Sequence, residues 1–196
     1  MEKTQEQLQQ IYSSIEQFCE AIYQGGSRVD PVIDNAHDYD YICFAKPLCR
    51  IKILRVLREL GLNNPGSVKR TKNTENLVDF SQIRVVPYTQ ITWFSYLDNL
   101  MIKKVGNDIC PKTDIIETYR SEFLQELKIK ADKLYKKEIK NQKRWYHILR
   151  GVYILLNNSY EVNDDQRKEI NILHDLTPGW EQVRDKTIQL LSTLED

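Results

Sequence analysis

The sequence predicts an α+β protein in which a mixed β-sheet with helices is followed by a C-terminal helical bundle. Up to about residue 110, short strand-like apolar runs alternate with apolar residues at helical spacing. Beyond Pro111 only the helical spacing continues. Glycine and proline are scarce, at seven and six in 196 residues, so each one punctuates the chain. These observations divide the sequence into an α/β part, residues 1–110, and a helical part, residues 111–196.

Leu8, Ile11, Tyr12, Ile15, Phe18 and Cys19 recur at three- and four-residue intervals and predict an amphipathic helix over 3–18. Ala21-Ile22-Tyr23 reads as a strand running into Gly25-Gly26. After a polar loop, Asp38-Tyr39-Asp40-Tyr41-Ile42-Cys43-Phe44 alternates acidic with bulky positions and then turns wholly apolar, as a strand exposed at its start and buried at its end does. Ile51, Leu54, Val56, Leu57 and Leu60 give the next helix, closed by Gly61. Strand-like segments follow at 76–80 and 83–88, the second ending near Pro87, and helical spacing returns from Ile91 to Leu100. In the helical part, Asp114 with Glu117 predicts the capped start of a long helix through Leu134. Trp145 to Leu156 forms a second helix that ends at Asn157-Asn158. Residues 164–175 and a segment opening at Thr177-Pro178 supply two more.

Apolar residues make up 41 % and charged residues 29 %, which excludes a disordered or collagen-like chain. Lysine plus arginine equals aspartate plus glutamate at 28 each, so overall charge indicates no partner. No run approaches the roughly 18 consecutive apolar residues of a spanning helix, and MEKTQEQLQQ has no apolar signal core, so no membrane role and a cytoplasmic location are expected. Cys19, Cys43, Cys49 and Cys110 lie far apart without zinc spacing and read as reduced, mostly buried thiols.

The chemistry concentrates in Gly25-Gly26-Ser27 and Asp38-Tyr39-Asp40. Residues two apart on a strand share a face, so Asp38 and Asp40 stand side by side next to a glycine turn. Two adjacent carboxylates raise each other's proton affinity unless a cation neutralises them. Mg²⁺, hard and oxygen-seeking, suits such a pair together with substrate phosphates. A Gly-Gly-Ser turn offers backbone amides and a hydroxyl to a phosphate, and Arg28 offers a guanidinium beside it.

Read together, GGSRVDPVIDNAHDYDYICF resembles the motif of the DNA polymerase beta-like nucleotidyltransferases, in particular the small bacterial and phage members. The resemblance covers residues 19–45 and, by order of elements, more of the chain. It implies transfer of a nucleoside monophosphate from an NTP to an acceptor, with two Mg²⁺ or Mn²⁺ ions. Carried over, Gly25, Gly26, Ser27 and Arg28 contact the nucleotide, and Asp38 and Asp40 bind the ions. The segment from Lys143 to Arg150 is similar to a Lys-x-x-x-His-x-x-Arg stretch of some members, which adds Lys143, His147 and Arg150 to the nucleotide-binding set.

The family also carries a third carboxylate on a neighbouring strand. Asp79, in Leu77-Val78-Asp79-Phe80, fits that role as catalytic and metal-binding residue. In a second alignment, Ile83-Arg84-Val85-Val86-Pro87 occupies the strand with Arg84 in the acid's place, and the chain is then a silent nucleotide- or RNA-binding protein, the regulatory partner of another chain. The acceptor is left open among a protein hydroxyl, a nucleotide or nucleic acid, and a small molecule. Basic residues cluster at 128–144 and again at 50–72, either as solvated helix faces or as tracks for phosphate. Trp93, Trp145 and Trp180 fit core positions.

Overall fold

In the computed structural model, residues 2–36, 39–61, 78–84, 96–109, 116–138 and 140–194 are described, with backbone only at 2–5, 39, 78–84, 97 and 98. The chain forms two units. One comprises Met1–Asp30, Ala36–Thr89 and Leu97–Lys112, the other Pro31–Asn35, Gln90–Tyr96 and Thr113–Asp196.

The first unit is built on a four-stranded mixed sheet. Helix α1 (Glu2–Ile15) buries Leu8, Ile11, Tyr12 and Ile15, the stripe visible in the sequence. A single 3₁₀ turn, Glu16–Phe18, leads into strand β1 (Cys19–Gly25). Strand β2 (Tyr39–Ala45) pairs antiparallel with β1. Helix α2 (Arg50–Glu59) follows, and Gly61 continues from it at φ 79°. Strand β3 (Val78–Arg84) joins β2 in parallel, and strand β4 (Ile102–Gly106) joins β1 antiparallel, giving the order β3-β2-β1-β4.

Strand alternation sorts β2 into two faces. Tyr41, Cys43 and Ala45 enter one core with α1 and α2 residues such as Ile11, Ile15, Ile53 and Leu57. The rings of Tyr12 and Tyr41 meet edge to face at 5.7 Å. Cys19 and Cys43 are buried free thiols in this core, and burial first, then the neighbouring Cys19, pushes the Cys43 thiol up. The opposite face carries Asp40, Ile42 and Phe44, with Tyr23 of β1 against Phe44 at 5.6 Å.

The second unit is a helical bundle. Helices α4 (Arg120–Tyr135), α5 (Trp145–Asn157), α6 (Asp164–Asp175) and α7 (Trp180–Thr193) follow a single helical turn, α3 (Tyr96–Asn99), whose Tyr96 belongs to this unit. Helix α5 is apolar on nearly every side and occupies the middle of the bundle, burying Trp145, Leu149, Val152 and Ile154. It ends at Asn158 in the left-handed region, φ 48°. Tyr153 Oη donates to Glu169 on α6, whose other oxygen takes Lys186 of α7 at 2.6 Å, so one polar chain ties three helices.

Three local readings differ from expectation. Helix α4 begins at Arg120 with Tyr119 as its cap, because the first helical bond runs from the Phe123 amide to Tyr119 O; Ile116 keeps the apolar spacing from within a turn, and Asp114 lies outside the described residues. By contrast, the helix expected over 91–100 is seen where it is described, as α3, and residues 91–95 lie outside the described residues. The two strand-like segments at 76–80 and 83–88 meet, over their described residues, in the single strand β3. Strand β4 was not expected: exposed, lysine-bearing and short, it shows no alternating apolar pattern, as befits a sheet edge.

At Gly151 helices α4 and α5 approach closely. A Cβ there would stand 2.8 Å from Leu127 Cδ2 and 3.0 Å from Phe123 Cζ, both on α4. Gly151→Val is therefore expected to overpack the crossing and lower stability by about 1–3 kcal/mol in urea denaturation.

Candidate functional site

Strand β1 ends at Gly25, and the chain turns at Gly26 into a 3₁₀ turn, Ser27–Val29. Gly26 adopts φ 71°, ψ −166°, a conformation that only glycine takes without strain. The turn closes on itself through Val29 N to Gly26 O, 3.3 Å, and Asp30 N to Ser27 O, 3.2 Å. As at any helical start, the leading amide of Ser27 lies outside this internal pattern. Gly26 and Ser27 are half-buried, Arg28 is exposed, and Asp30 is buried.

Asp40 reaches this turn through strand register. Gly25 is its partner on β1 and Asp79 its partner on β3, so the three residues form one row across the sheet. Half-buried Asp40 lies so close to the bare Gly26 that a Cβ there would fall 1.9 Å from Oδ2 and 2.7 Å from Cγ. Gly25 is roomier, its Cβ position being 3.6 Å from Met101 Cγ. Arg84 pairs with Phe44, well along β2 from Asp40. Asp38 lies outside the described residues. Among the described residues no group of three or more His, Cys, Asp or Glu side chains is gathered to hold a metal ion; the side chains of Asp38 and Asp79 are not among them.

Lys143, His147 and Arg150 come together in the helical unit. Lys143 sits in the 3₁₀ turn Gln142–Arg144 that opens α5, and His147 and Arg150 are one turn apart on that helix. Arg150 is fully buried, donates through Nη2 to Tyr160 O at 2.8 Å, and stands over the Tyr96 ring at 5.6 Å. His147 Nδ1 is 3.3 Å from Tyr96 Oη, and the Tyr146 ring lies 3.9 Å away. Burial first, then the charges of Lys130, Arg144, His174 and Lys143, hold the His147 pKa down to about 3. At neutral pH the ring is uncharged, a hydrogen-bonding group among cations.

The sequence reading missed Tyr96 as the partner of both His147 and Arg150, since only tertiary packing brings positions so far apart in sequence together. It also passed over the spacer between the two motifs. Val32, Asp34 and Asn35 bond to Arg167, Asn171 and Asp175, and the polar residues at four-residue spacing on α6 were the one available signal.

These arrangements predict two outcomes. Gly26→Ala should cost about 1–3 kcal/mol in urea denaturation, from the strained conformation and the displaced carboxylate, while Gly25→Ala costs far less. For His147 the folded pKa lies below the ordinary value, so its stabilising contribution is complete above about pH 6.5 and is lost as pH falls toward about 3. Over that window the bundle should lose up to about 1.4 kcal/mol per pH unit through this group, and His147→Gln should make the pH dependence of unfolding shallower. No family model, curated protein or solved structure matches the chain.

Proposed function

We propose that the chain is a metal-dependent nucleotidyltransferase that moves a nucleoside monophosphate from an NTP to an acceptor hydroxyl, releasing pyrophosphate. The observation that carries this reading is the row Gly25–Asp40–Asp79 across β1, β2 and β3, with the Asp40 carboxylate against the bare Gly26. It is the arrangement implied by the resemblance of GGSRVDPVIDNAHDYDYICF to the polymerase beta-like nucleotidyltransferases.

The donor set fits Mg²⁺ or Mn²⁺. Carboxylate oxygens are the hard ligands these ions favour, and the Asp40 carboxylate lies directly against the Gly26 turn, whose backbone amides and Ser27 hydroxyl would meet substrate phosphates. Asp38, Asp40 and Asp79 would hold the ions, which when bound neutralise the charge developing on the attacking and leaving oxygens. Ser27 and the Gly26 turn orient the leaving phosphates. Asp79, the third carboxylate of this reading, would take the proton of the acceptor hydroxyl as its oxygen attacks the α-phosphorus, so that one P–O bond forms as the bond to pyrophosphate breaks. The register favours Asp79 over Arg84 as the position for the third carboxylate, because Asp79 alone of the two is opposite Asp40. The acceptor class, whether protein hydroxyl, nucleotide, nucleic acid or small molecule, belongs to the same proposal.

The test is incubation with each α-³²P-labelled NTP and Mg²⁺ or Mn²⁺, alone and with cell lysate. A labelled product is expected whose formation falls at least about 100-fold in Asp40→Asn and in Asp79→Asn, with both variants folded, and survives in Arg84→Ala. Nucleotide binding without transfer under every condition would instead identify a silent binding protein.

A further inference from the structure

Between Asp40 and Glu59 the chain carries no acid and five cations, Lys46, Arg50, Lys52, Arg55 and Arg58, although its overall charge is balanced. The four on α2 are exposed. Lys46 Nζ donates to Gln17 O at 3.0 Å, and Lys52 Nζ stands over the Phe18 ring at 5.9 Å, so both are held at the N-terminal end of that helix. On the adjoining 3₁₀ turn Glu16 is the one acid, and it leaves the balance of this end strongly positive.

The same end raises two aliphatic side chains into solvent. Strand β2 passes to α2 through a turn closed by Cys49 N to Lys46 O, 3.0 Å, with Pro47 and Leu48 at its centre. Leu48 lies in the left-handed region, at φ 62°. A turn with proline second and a positive φ third favours glycine at the third place, and leucine is strained there. Leu48 is nevertheless 96 % exposed, and Ile51, in the first turn of α2, is 70 % exposed. A leucine so exposed gains nothing from burial, so packing within the fold does not offset its strain.

Aliphatic tips among cations match a surface that is anionic outside and apolar beneath, as a lipid bilayer is. A nucleic acid would use the cations, but leucine and isoleucine offer its bases no ring to stack on. A stable protein interface needs a larger matched area than one turn and two side chains provide. We propose that residues 46–55 form a membrane-docking tip, in which Leu48 and Ile51 enter the headgroup region of an anionic bilayer and Arg50, Lys52 and Arg55 meet its headgroups. None of the described helices is long and apolar enough to cross a membrane. The want of a spanning run, from which no membrane role is expected, does not bear on a surface tip. Leu48 follows the Ala45 end of β2, about 17 Å along the strand from Asp40. Helix α2 packs on the sheet face opposite to Asp40, so docking does not use the face that carries the candidate site. The tip is independent of the transfer reading.

Co-sedimentation of the full chain with vesicles of two parts phosphatidylcholine to one part phosphatidylserine, against pure phosphatidylcholine, tests the proposal. Binding to the anionic vesicles is expected at low salt, with release at high salt. Leu48→Gly should weaken it about tenfold and Arg55→Gln about fivefold. Thermal unfolding of Leu48→Gly should come no earlier than in the parent, because glycine relieves the positive φ. No binding to the anionic vesicles at low salt overturns the proposal. Binding that Leu48→Gly and Ile51→Ser leave unchanged also overturns it, since charge alone then holds the vesicle. Binding of polyuridylate without binding of vesicles would overturn it in favour of a nucleic-acid surface.

Discussion

Between position 26 and Asp40 there is no room for a side chain. The Asp40 carboxylate occupies the space that a Cβ would take, and the backbone at Gly26 lies in a region other residues avoid. Much else depends on this contact. It holds the end of β1 against the start of β2, so Gly25 pairs with Asp40 and the antiparallel ladder follows in step as far as Ala21 opposite Phe44, beyond which the register shifts before Cys19. That step sends Tyr41 and Cys43 toward α1 and α2 and leaves Asp40 on the other face of the sheet. A shift of one residue would exchange the two faces, burying carboxylate and exposing the aromatic core.

The parts of the fold that sequence made legible are those whose own periodicity decides their structure. The α1 stripe, the all-round apolar α5, and the switch in β2 from alternating to apolar all needed no partner to be read. Asn163 and Gln166 form the capping box of α6, a local start signal present in the sequence just before the helix expected over 164–175. By contrast β4 is strand only because β1 offers it a ladder, and its lysines disguise it. Around the candidate site the same division holds. Gly26 and Asp40 were readable because strand and turn chemistry are local, whereas which of Asp79 and Arg84 lies opposite Asp40 is visible only in the register of β3 on β2. The spacer bonds and the Tyr96 partnership are long-range contacts that spacing in one segment cannot reveal.

Charge is used differently along the chain. Lys130 of α4 pairs one turn back with Glu126, and Lys136, just past the helix end, with Asp132, contacts that add little to stability when exposed. Around His147 the cations matter more, since with burial they keep the imidazole neutral. Arg150, although charged, is fully enclosed, donates through Nη2 to Tyr160 O and lies over the Tyr96 ring, tying the middle of α5 to the chain just past its end and to α3. The basic character of this stretch therefore divides into a hydrated exterior and an interior framework.

The spacer's membership in the helical unit makes both units discontinuous in sequence. The bundle is incomplete without Pro31–Asn35, and the sheet unit includes residues on both sides of that segment. No single cut yields two self-sufficient halves, so the usual route by which domains are exchanged or recombined between genes, through one linker, is closed to this chain. Its contacts also span long stretches of sequence, so during synthesis the spacer must wait for α6 to emerge before it can settle. The order in which the ribosome delivers the chain thus leaves the connection between the two motifs among the last parts to acquire its final shape.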